Sequence, residues 1–220
     1  MGQLVSSDAE AYFETRLTYD KKREVLWDTL AEVVFQPYIA PSDTVIELGA
    51  GWCDFINSVS ARRRIAVDLW SGVREEAAPG VETIVGSADD LQGVADASVN
   101  LIFASNLLEH LTHQQIDRLT AEAQRVLVPG GRLVLVQPNF RLCAKNYFDD
   151  YTHVSIWSDI SMSAYLESRG WKLERVEGRF LPLTVKSRLP VSATLIKAYL
   201  KSPVRPKAGQ MLIVATTPTH

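Results

Sequence analysis

Two glycines, Gly49 and Gly51, form a short turn directly after the apolar segment Thr44–Leu48, and a helix-like stretch follows them. Glycine lets the backbone come close to a ligand, and the N-terminus of the next helix presents unpaired amides to it. The spacing therefore predicts a cofactor-binding turn. Dinucleotide sites use the same device with a third glycine three residues later. Asp54 occupies that place here and is an unfavourable neighbour for a pyrophosphate.

Carboxylates stand at the ends of three successive strand-like segments. Glu47 comes just before the glycines, where it can orient an amine or a cation. Asp68 follows about 20 residues later, at the position from which an acidic side chain accepts hydrogen bonds from a ribose diol. Asp89 follows the third segment and suits the exocyclic amine of an adenine. Three carboxylates around one ligand favour a positively charged sulfonium nucleoside over a dianionic dinucleotide.

His110 and His153 both fall in loops after predicted strand ends, where α/β sheets bind their ligands. Each is a candidate general base that removes a proton from an acceptor, and each has the alternative of a structural role in its loop. We favour His153 because Asp149 or Asp150 could orient its imidazole. The same acidic residues and His153 are of metal-ligand type, but their spacing is not a recognised site, so no metal is predicted.

The elements that must position these residues alternate along the chain, with apolar β-branched segments separated by helix-like stretches. This alternation predicts an α/β fold with a parallel sheet and helices on both faces. Pro129-Gly130-Gly131 is expected to end one helix and turn the chain into the next strand, and Ser158 is a candidate N-cap. The predicted strands are residues 44–48, 64–68, 81–86, 99–105, 131–136, 171–179 and 210–216. The predicted helices are residues 20–35, 55–62, 112–128, 158–169 and 191–201.

The chain has 220 residues, of which 46% are hydrophobic and 22% charged, which is the balance of a folded globular protein. Its length favours a single domain. No apolar run approaches the ~18 residues that cross a bilayer, and the first residues do not resemble a signal peptide, so a cytoplasmic location is expected. Two cysteines, Cys53 and Cys143, are too few for a disulfide framework and are expected to be reduced thiols.

Charge is distributed unevenly along the chain. Residues 178–220 hold seven basic residues and no acidic one, whereas residues 1–177 hold 16 basic and 26 acidic residues. This segregation suggests an anionic partner, with a solvated basic face as the alternative. Within the basic segment, residues 191–201 form a candidate amphipathic helix, whose partner is either the domain itself or an anionic membrane surface.

The chain resembles a known family, the class I S-adenosylmethionine-dependent methyltransferases. The resemblance is carried by Val45–Gly51, Ala66–Trp70, Gly86–Leu91, Val99–Leu111 and Leu127–Asn139. It implies a Rossmann-like, seven-stranded, mostly parallel sheet whose last strand is antiparallel. More narrowly, the segments YFDDYTHVSIWS, LPLTVKSRLP and AGQMLIVA are similar to bacterial methyltransferases of surface-polysaccharide and glycan biosynthesis.

This resemblance implies one methyltransferase domain over residues 1–220. Its expected parts are an N-terminal helical cover (1–40), a cofactor-binding core (41–179), a basic proline-containing insertion (180–209) and the last strand (210–216).

The resemblance also implies S-adenosylmethionine as cofactor and a role for each matching residue. Glu47, Gly49 and Gly51 would shape the methionine end, and Asp68 would hold the ribose. The remaining cofactor residues would be Leu69, Ala88 and Asp89 around the adenine, and Ser105 and Asn106 near the methionine moiety. One departure is visible, because Cys53 stands where the family usually has a third glycine.

The expected activity is O-methylation of a small molecule or a saccharide, including a nucleotide- or lipid-linked sugar. Tyr147 and Tyr151 are candidates for stacking on the acceptor, and Lys186 and Arg188 for holding its phosphate. The alternatives are methylation at nitrogen or carbon, a nicotinamide-dependent oxidoreductase, and a non-catalytic nucleoside-binding protein. A nucleic-acid partner is not expected, because residues 104–107 read Ala-Ser-Asn-Leu instead of the Asn/Asp-Pro-Pro-Tyr/Phe motif of base amino-methyltransferases.

Overall fold

The computed structural model describes residues 20, 22–183 and 191–218, and its sheet has seven strands. They are β1 (Thr44–Leu48), β2 (Arg63–Asp68), β3 (Val81–Val85), β4 (Val99–Ser105), β5 (Leu127–Pro138), β6 (Lys172–Glu177) and β7 (Gln210–Thr216). Their order in the sheet is β3-β2-β1-β4-β5-β7-β6. The first five strands pair in parallel, and β7 pairs antiparallel with both β5 and β6. The predicted α/β class, the Rossmann-like order and the antiparallel last strand are confirmed.

Short helices connect the strands. They are α1 (Lys22–Leu30), α2 (Asp54–Ser58), α3 (Val73–Glu76), α4 (His113–Val126), α5 (Phe140–Cys143), α6 (Asp159–Ser168) and α7 (Ala193–Lys201). The single helix predicted over residues 20–35 was wrong in its second half, where a π-helical turn, Ala31–Phe35, follows α1. The prediction that Pro129-Gly130-Gly131 ends a helix and turns the chain into the next strand was wrong, because α4 ends at Val126 and these three residues lie within β5, which begins at Leu127.

Apolar side chains cover both faces of the sheet, as the near-continuous apolar strands predict. Neighbouring residues of a strand point to opposite faces, so Val45 and Ile46 of β1 belong to different core clusters. One face packs against α4 and α6. The other packs against α1 and α2, and its centre is aromatic, with the rings of Phe55 and Phe103 stacked at 3.8 Å between centroids. The sheet is therefore held rigidly from both sides.

Side-chain caps begin the two long helices on the first face. Thr112 accepts a hydrogen bond from the backbone N–H of Gln115, and Ser158 does the same for Ser161. In both helices the third residue returns the bond, which completes a capping box. The N-cap predicted at Ser158 is confirmed.

Helix α7, in the basic segment, packs on the domain itself. Lys197 forms an ion pair with Glu32, and Tyr199 and Leu200 pack against the aromatic core cluster. Across the described part of the chain, no helix combines the length and apolarity that a membrane span requires.

Candidate functional site

The glycine turn after β1 is fastened to the end of β2. The amides of Gly49 and Ala50 both donate to the carbonyl of Val67, at 2.9 and 3.1 Å, and the amide of Gly51 donates to the carboxylate of Asp68 at 2.8 Å. Gly49 and Gly51 have φ of +66° and +51°, a region that favours glycine. A side chain at Gly49 would also lie 2.9 Å from Leu107. Two glycines are thus required by the shape of the turn.

Glu47 is buried and joins β1 to α2. Its carboxylate accepts a hydrogen bond from the amide of Ile56 at 2.9 Å. Burial raises the pKa of this carboxyl well above its usual range, and the bond from Ile56 opposes that rise. The predicted carboxylate at the strand end is therefore present, and it also fixes the angle at which the helix leaves the turn.

Asp68 lies at the end of β2 with both carboxylate oxygens engaged by backbone amides. One oxygen accepts from Gly51 and the other from Trp70, each at 2.8 Å. Burial raises the pKa of Asp68, against the lowering effect of these backbone bonds. The backbone of Leu69 also hydrogen-bonds this carboxylate, so of its roughly four acceptor positions about one remains for a hydroxyl group of a ligand.

A cleft of about 220 Å³ opens at the carboxyl ends of the strands, as expected for an α/β sheet. Most of the cofactor residues predicted from the sequence line it, namely Glu47, Gly49, Gly51, Asp68, Leu69, Ala88, Ser105 and Asn106, and so does His110. The sequence did not single out Arg23, Trp27, Trp52, Ser87, Leu107, Leu111 or Thr152, which also line it. Ser87, Leu107 and Leu111 lie within segments that carry the resemblance, and Trp52 follows the glycine turn, so the sequence held a signal for them. Arg23, Trp27 and Thr152 have no such signal, because tertiary folding brings them to the cleft.

Arg23, from α1, is the basic side chain at the glycine end of the cleft. Its guanidinium forms an ion pair with Asp54 at 2.6 Å, and both residues line the cavity. Asp54 is the residue whose carboxylate makes this place unfavourable for a pyrophosphate. Its pairing with Arg23 places a cation and a carboxylate side by side, which suits a ligand end that carries both charges, such as an amino acid.

Asp89 is engaged with other side chains. Its carboxylate forms an ion pair with Arg118 at 2.6 Å and accepts a short hydrogen bond from the hydroxyl of Ser87. Asp89 is buried outside the lining of the cleft, whereas Ser87 and Ala88 line it. The structure therefore brings the neighbours of Asp89, rather than its carboxylate, to the predicted adenine end.

Two glutamines shape the loop after β4. The side-chain oxygen of Gln137 accepts hydrogen bonds from the amides of Leu107 and Leu108, and its nitrogen donates to Ala104. Gln210 donates to the side chain of Asn106 at 2.7 Å. Asn106 has a φ of +48°. Hydrogen bonds formed by the side-chain amides of Gln137 and Gln210 thus hold the left-handed turn at Asn106, which lines the cleft.

The far end of the cleft is formed by His110 and Thr152. Nδ1 of His110 lies 2.8 Å from the hydroxyl of Thr152, which donates to Asp150 at 2.6 Å. Because that hydroxyl's proton goes to Asp150, Nδ1 of His110 is the donor to its oxygen. Burial and the neighbouring His153 lower the pKa of His110 to about 4. The imidazole is therefore neutral at neutral pH.

His153 and Glu109 adjoin His110 and are not among the residues that line the cleft. The rings of His110 and His153 lie 4.9 Å apart between centroids. Glu109 is almost fully buried, and burial raises its pKa to about 8. The two histidines predicted as separate candidates thus belong to one cluster, of which His110 lines the cleft.

The other predicted side chains of this region lie elsewhere. Asp149 is exposed and accepts a hydrogen bond from Asn146. Tyr147 is buried and its hydroxyl donates to Ser155, whereas Tyr151 is 73% exposed. Lys186 and Arg188 lie outside the described residues.

Comparison with known proteins supports this interpretation of the cleft. Residues 46–135 match a family model described as a methyltransferase domain. A malonyl-[acyl-carrier protein] O-methyltransferase from Methylococcus capsulatus is 29% identical over 157 residues, which cover 64% of this chain and 56% of the relative. The chain thus spans little more than half the length of that curated relative.

Solved structures resemble the fold along nearly the whole chain. A SAM-dependent methyltransferase from Archaeoglobus fulgidus has a TM-score of 0.68 at 17% identity, over 95% of this chain and 99% of that one. A SAM-dependent methyltransferase from Methanosarcina mazei has a TM-score of 0.64 at 14% identity, over 86% and 98% of the two chains.

Residues 46–135 thus match a methyltransferase domain, and the fold of the chain is similar to that of S-adenosylmethionine-dependent methyltransferases. S-Adenosylmethionine is the cofactor that this domain implies. The cleft fits it chemically, because Asp68 retains an acceptor position for a ribose hydroxyl, and Glu47, Asp54 and Asp68 make the surroundings favourable for a sulfonium cation.

We predict that Cys53 strains the glycine turn. Cys53 has a φ of +57°, which explains why a third glycine is usual there. Cys53→Gly should be more stable than Cys53→Ala by about 1 kcal/mol, because both lose the thiol and only alanine retains the strain. Urea unfolding measures the difference. Cys143, at the end of α5, is the matched control, since alanine should be the better replacement there; a more stable alanine at both positions contradicts the prediction.

We predict that Asp68→Asn weakens S-adenosylmethionine binding about tenfold or more. The substitution removes a charge-assisted acceptor worth ~1.5–3 kcal/mol and turns an amide group toward a backbone N–H that now lacks an acceptor. Calorimetric titration measures the effect. Asp90→Asn is the control because Asp90 is exposed and outside the cleft. Equal affinities of the two variants for S-adenosylmethionine would contradict a role of Asp68 in binding it.

Proposed function

We propose that this protein transfers the methyl group of S-adenosylmethionine to an oxygen atom of a small molecule or saccharide. The observation that carries the proposal is a single cleft that extends from Asp68 and the glycine turn to His110 and Thr152. The cofactor, when bound, supplies a methyl group on a good leaving group. The protein then has to bind and orient an acceptor and assist the loss of its proton.

The cofactor end of the cleft is proposed to work through charge and backbone shape. Asp68 and the amides of the glycine turn hold the nucleoside, and Glu47 favours positive charge nearby. Arg23, paired with Asp54, is proposed to face the carboxylate of the methionine moiety. These groups are fixed by hydrogen bonds before a ligand arrives, which limits the entropy lost on binding.

The acceptor end is proposed to activate a hydroxyl at His110. His110 lines the cleft, Thr152 fixes its ring, and Asp150 holds Thr152. The sequence offers Asp149 or Asp150 to orient His153, whereas in this proposal Asp150 orients His110 through Thr152. His153 is proposed to act with His110, against whose ring it packs, from behind the cleft.

A saccharide is the acceptor class that the rim of the cleft favours. Tyr151 precedes the cleft-lining residue Thr152 in the chain and is 73% exposed. An exposed aromatic ring next to a cleft-lining residue is suited to stacking on a sugar. Contacts of Lys186 and Arg188 with a phosphate of the acceptor remain a prediction, as do the link to glycan biosynthesis and contact with a membrane surface.

The curated relative supports a second candidate acceptor. Its name describes O-methylation of a malonyl group on acyl-carrier protein. A malonyl group offers a carboxylate, which is already ionised at neutral pH and needs no base. In both candidate acceptors the methylated atom is oxygen. Methylation of a saccharide hydroxyl depends on His110 as the base, whereas methylation of a malonyl carboxylate does not.

The proposal is tested by binding and by turnover. Calorimetry with S-adenosylmethionine, S-adenosylhomocysteine and NAD should show binding of the two sulfur nucleosides and none of NAD. Mass spectrometry of reactions with saccharides, sugar nucleotides and a malonyl thioester should then show one product heavier by a methylene group. Binding of NAD alone would favour the oxidoreductase alternative, and nucleoside binding without turnover on any acceptor would favour a non-catalytic role.

We predict that His110→Gln lowers kcat for a hydroxyl acceptor by about 100-fold, the lower end of the contribution of a general acid or base. The Kd for S-adenosylmethionine should change little. His113→Gln is the matched control, because His113 is an exposed histidine on α4 that does not line the cleft. Full activity of His110→Gln on a hydroxyl acceptor would contradict the assignment, whereas full activity on a malonyl thioester alone would favour the carboxylate.

A further inference from the structure

Three side chains of metal-ligand type meet behind the acceptor end of the cleft. Glu109 and His110 lie in a 3₁₀ turn after β4, and His153 lies in the loop between α5 and α6. One ligand atom from each of the three lies within 4.8 Å of the others. Glu109 is only 2% exposed. We refer to these three residues as the Glu-His-His cluster.

The carboxyl of Glu109 is buried with one oxygen unsatisfied. Its Oε2 has no hydrogen-bond partner among the described residues. Its backbone carbonyl, by contrast, accepts bonds from the amides of Val154 and Ser155, which hold the second loop over it. A buried polar atom without a partner costs free energy, more so when it is ionised. A bound cation would remove that cost.

Both imidazoles are oriented by bonds at one nitrogen. Nδ1 of His110 bonds Thr152, so Nε2 is the nitrogen on the side of Glu109, 4.0 Å from its Oε1. His153 hydrogen-bonds the backbone of Tyr147, and its buried Nδ1 has no hydrogen-bond partner among the described residues. Metal-binding histidines typically have this arrangement, in which the second nitrogen is held by a hydroxyl, carbonyl or carboxylate.

We propose that the Glu-His-His cluster binds one divalent transition-metal cation, with Zn²⁺ and Mn²⁺ as the representative ions. Two imidazoles and one carboxylate suit first-row transition metals, whereas Mg²⁺ and Ca²⁺ prefer oxygen ligands throughout. The ligands differ from the Asp149, Asp150 and His153 grouping that the sequence suggests. Three protein ligands leave a coordination position open.

The site deepens the proposed function and rests on it for the identity of the fourth ligand. His110 and Thr152 line the cleft, so the open position is expected to face the acceptor. A hydroxyl group of the acceptor is the proposed fourth ligand, and coordination lowers the pKa of that hydroxyl so that its proton can pass to water. With the ion bound, His110 acts as a metal ligand instead of as a general base, because Nδ1 is bonded to Thr152 and Nε2 faces the ion. Metal binding itself does not depend on methyl transfer and can be measured without an acceptor.

The first test is calorimetric titration of the chelator-treated full chain with Zn²⁺ and with Mn²⁺. The expected result is one ion per chain for at least one metal, and binding about tenfold or more weaker in Glu109→Gln and in His153→Gln. His113→Gln, which removes a histidine outside the cluster, should bind like the unaltered protein. No binding by the unaltered protein, or equal affinity in all four proteins, would overturn the proposal.

A second measurement needs no variant. X-ray absorption at the zinc edge of the unaltered protein should show two imidazole nitrogens at about 2.0–2.1 Å. A coordination shell of oxygen alone would overturn the proposal even if zinc binds. Titration of the same samples with S-adenosylmethionine separates the two hypotheses. Retained nucleoside binding without metal binding rejects the metal site only, and the reverse rejects the cofactor assignment only.

Discussion

The bonds that fasten the end of β1 to the end of β2 are the constraint on which the site depends. The carbonyl of Val67 accepts two amides of the glycine turn, and the carboxylate of Asp68 accepts a third. Asp68 therefore holds the turn that shapes the pocket in addition to its proposed role in binding the ligand. A substitution there changes the pocket's shape as well as its charge, which is why the proposed site is preorganised and also sensitive to single changes.

The loop after β4, which also lines the cleft, is held by hydrogen bonds with buried side-chain amides instead of by ion pairs. Gln137 of β5 reaches across to the loop after β4, and Gln210 of β7 reaches Asn106 in the same loop. Two strands that supply no catalytic group thus fix the path of the chain that leads to His110. In a buried environment such bonds are costly to leave unmade, so the loop has one well-defined conformation.

The parts of the fold that depend on local sequence could be predicted. Thr44–Leu48, Val99–Ser105 and Gln210–Thr216 form strands with the predicted bounds, because β-branched apolar runs and their flanking turns are local signals. The glycine turn was also recognisable. The environment of Asp89 was not, because its partner Arg118 comes from a helix that only tertiary folding brings near. Strand-end position alone gave no indication that this carboxylate is already paired.

The same limit applies to the acceptor end. An acidic residue beside a histidine, such as Glu109, is typical of a surface turn, but Glu109 is buried, and the amides of residues 154 and 155 bond its backbone carbonyl. The proximity of His110 to His153 likewise depends on two loops that are distant in sequence. Sequence patterns therefore located the two histidines individually, and the structure was needed to recognise the Glu-His-His cluster.

The antiparallel pairing of β7 between β5 and β6 has a consequence for how such a protein can diversify. Because β6 ends, and β7 begins, at the edge where the cleft opens, the intervening chain leaves and returns on the ligand side. Evolution or an engineer can lengthen, shorten or exchange that connection while every strand keeps its register. Such an exchange must leave Gln210 in place, since the first residue of β7 also anchors the loop beside the pocket, and it must replace the contacts that Tyr199 and Leu200 make with the core.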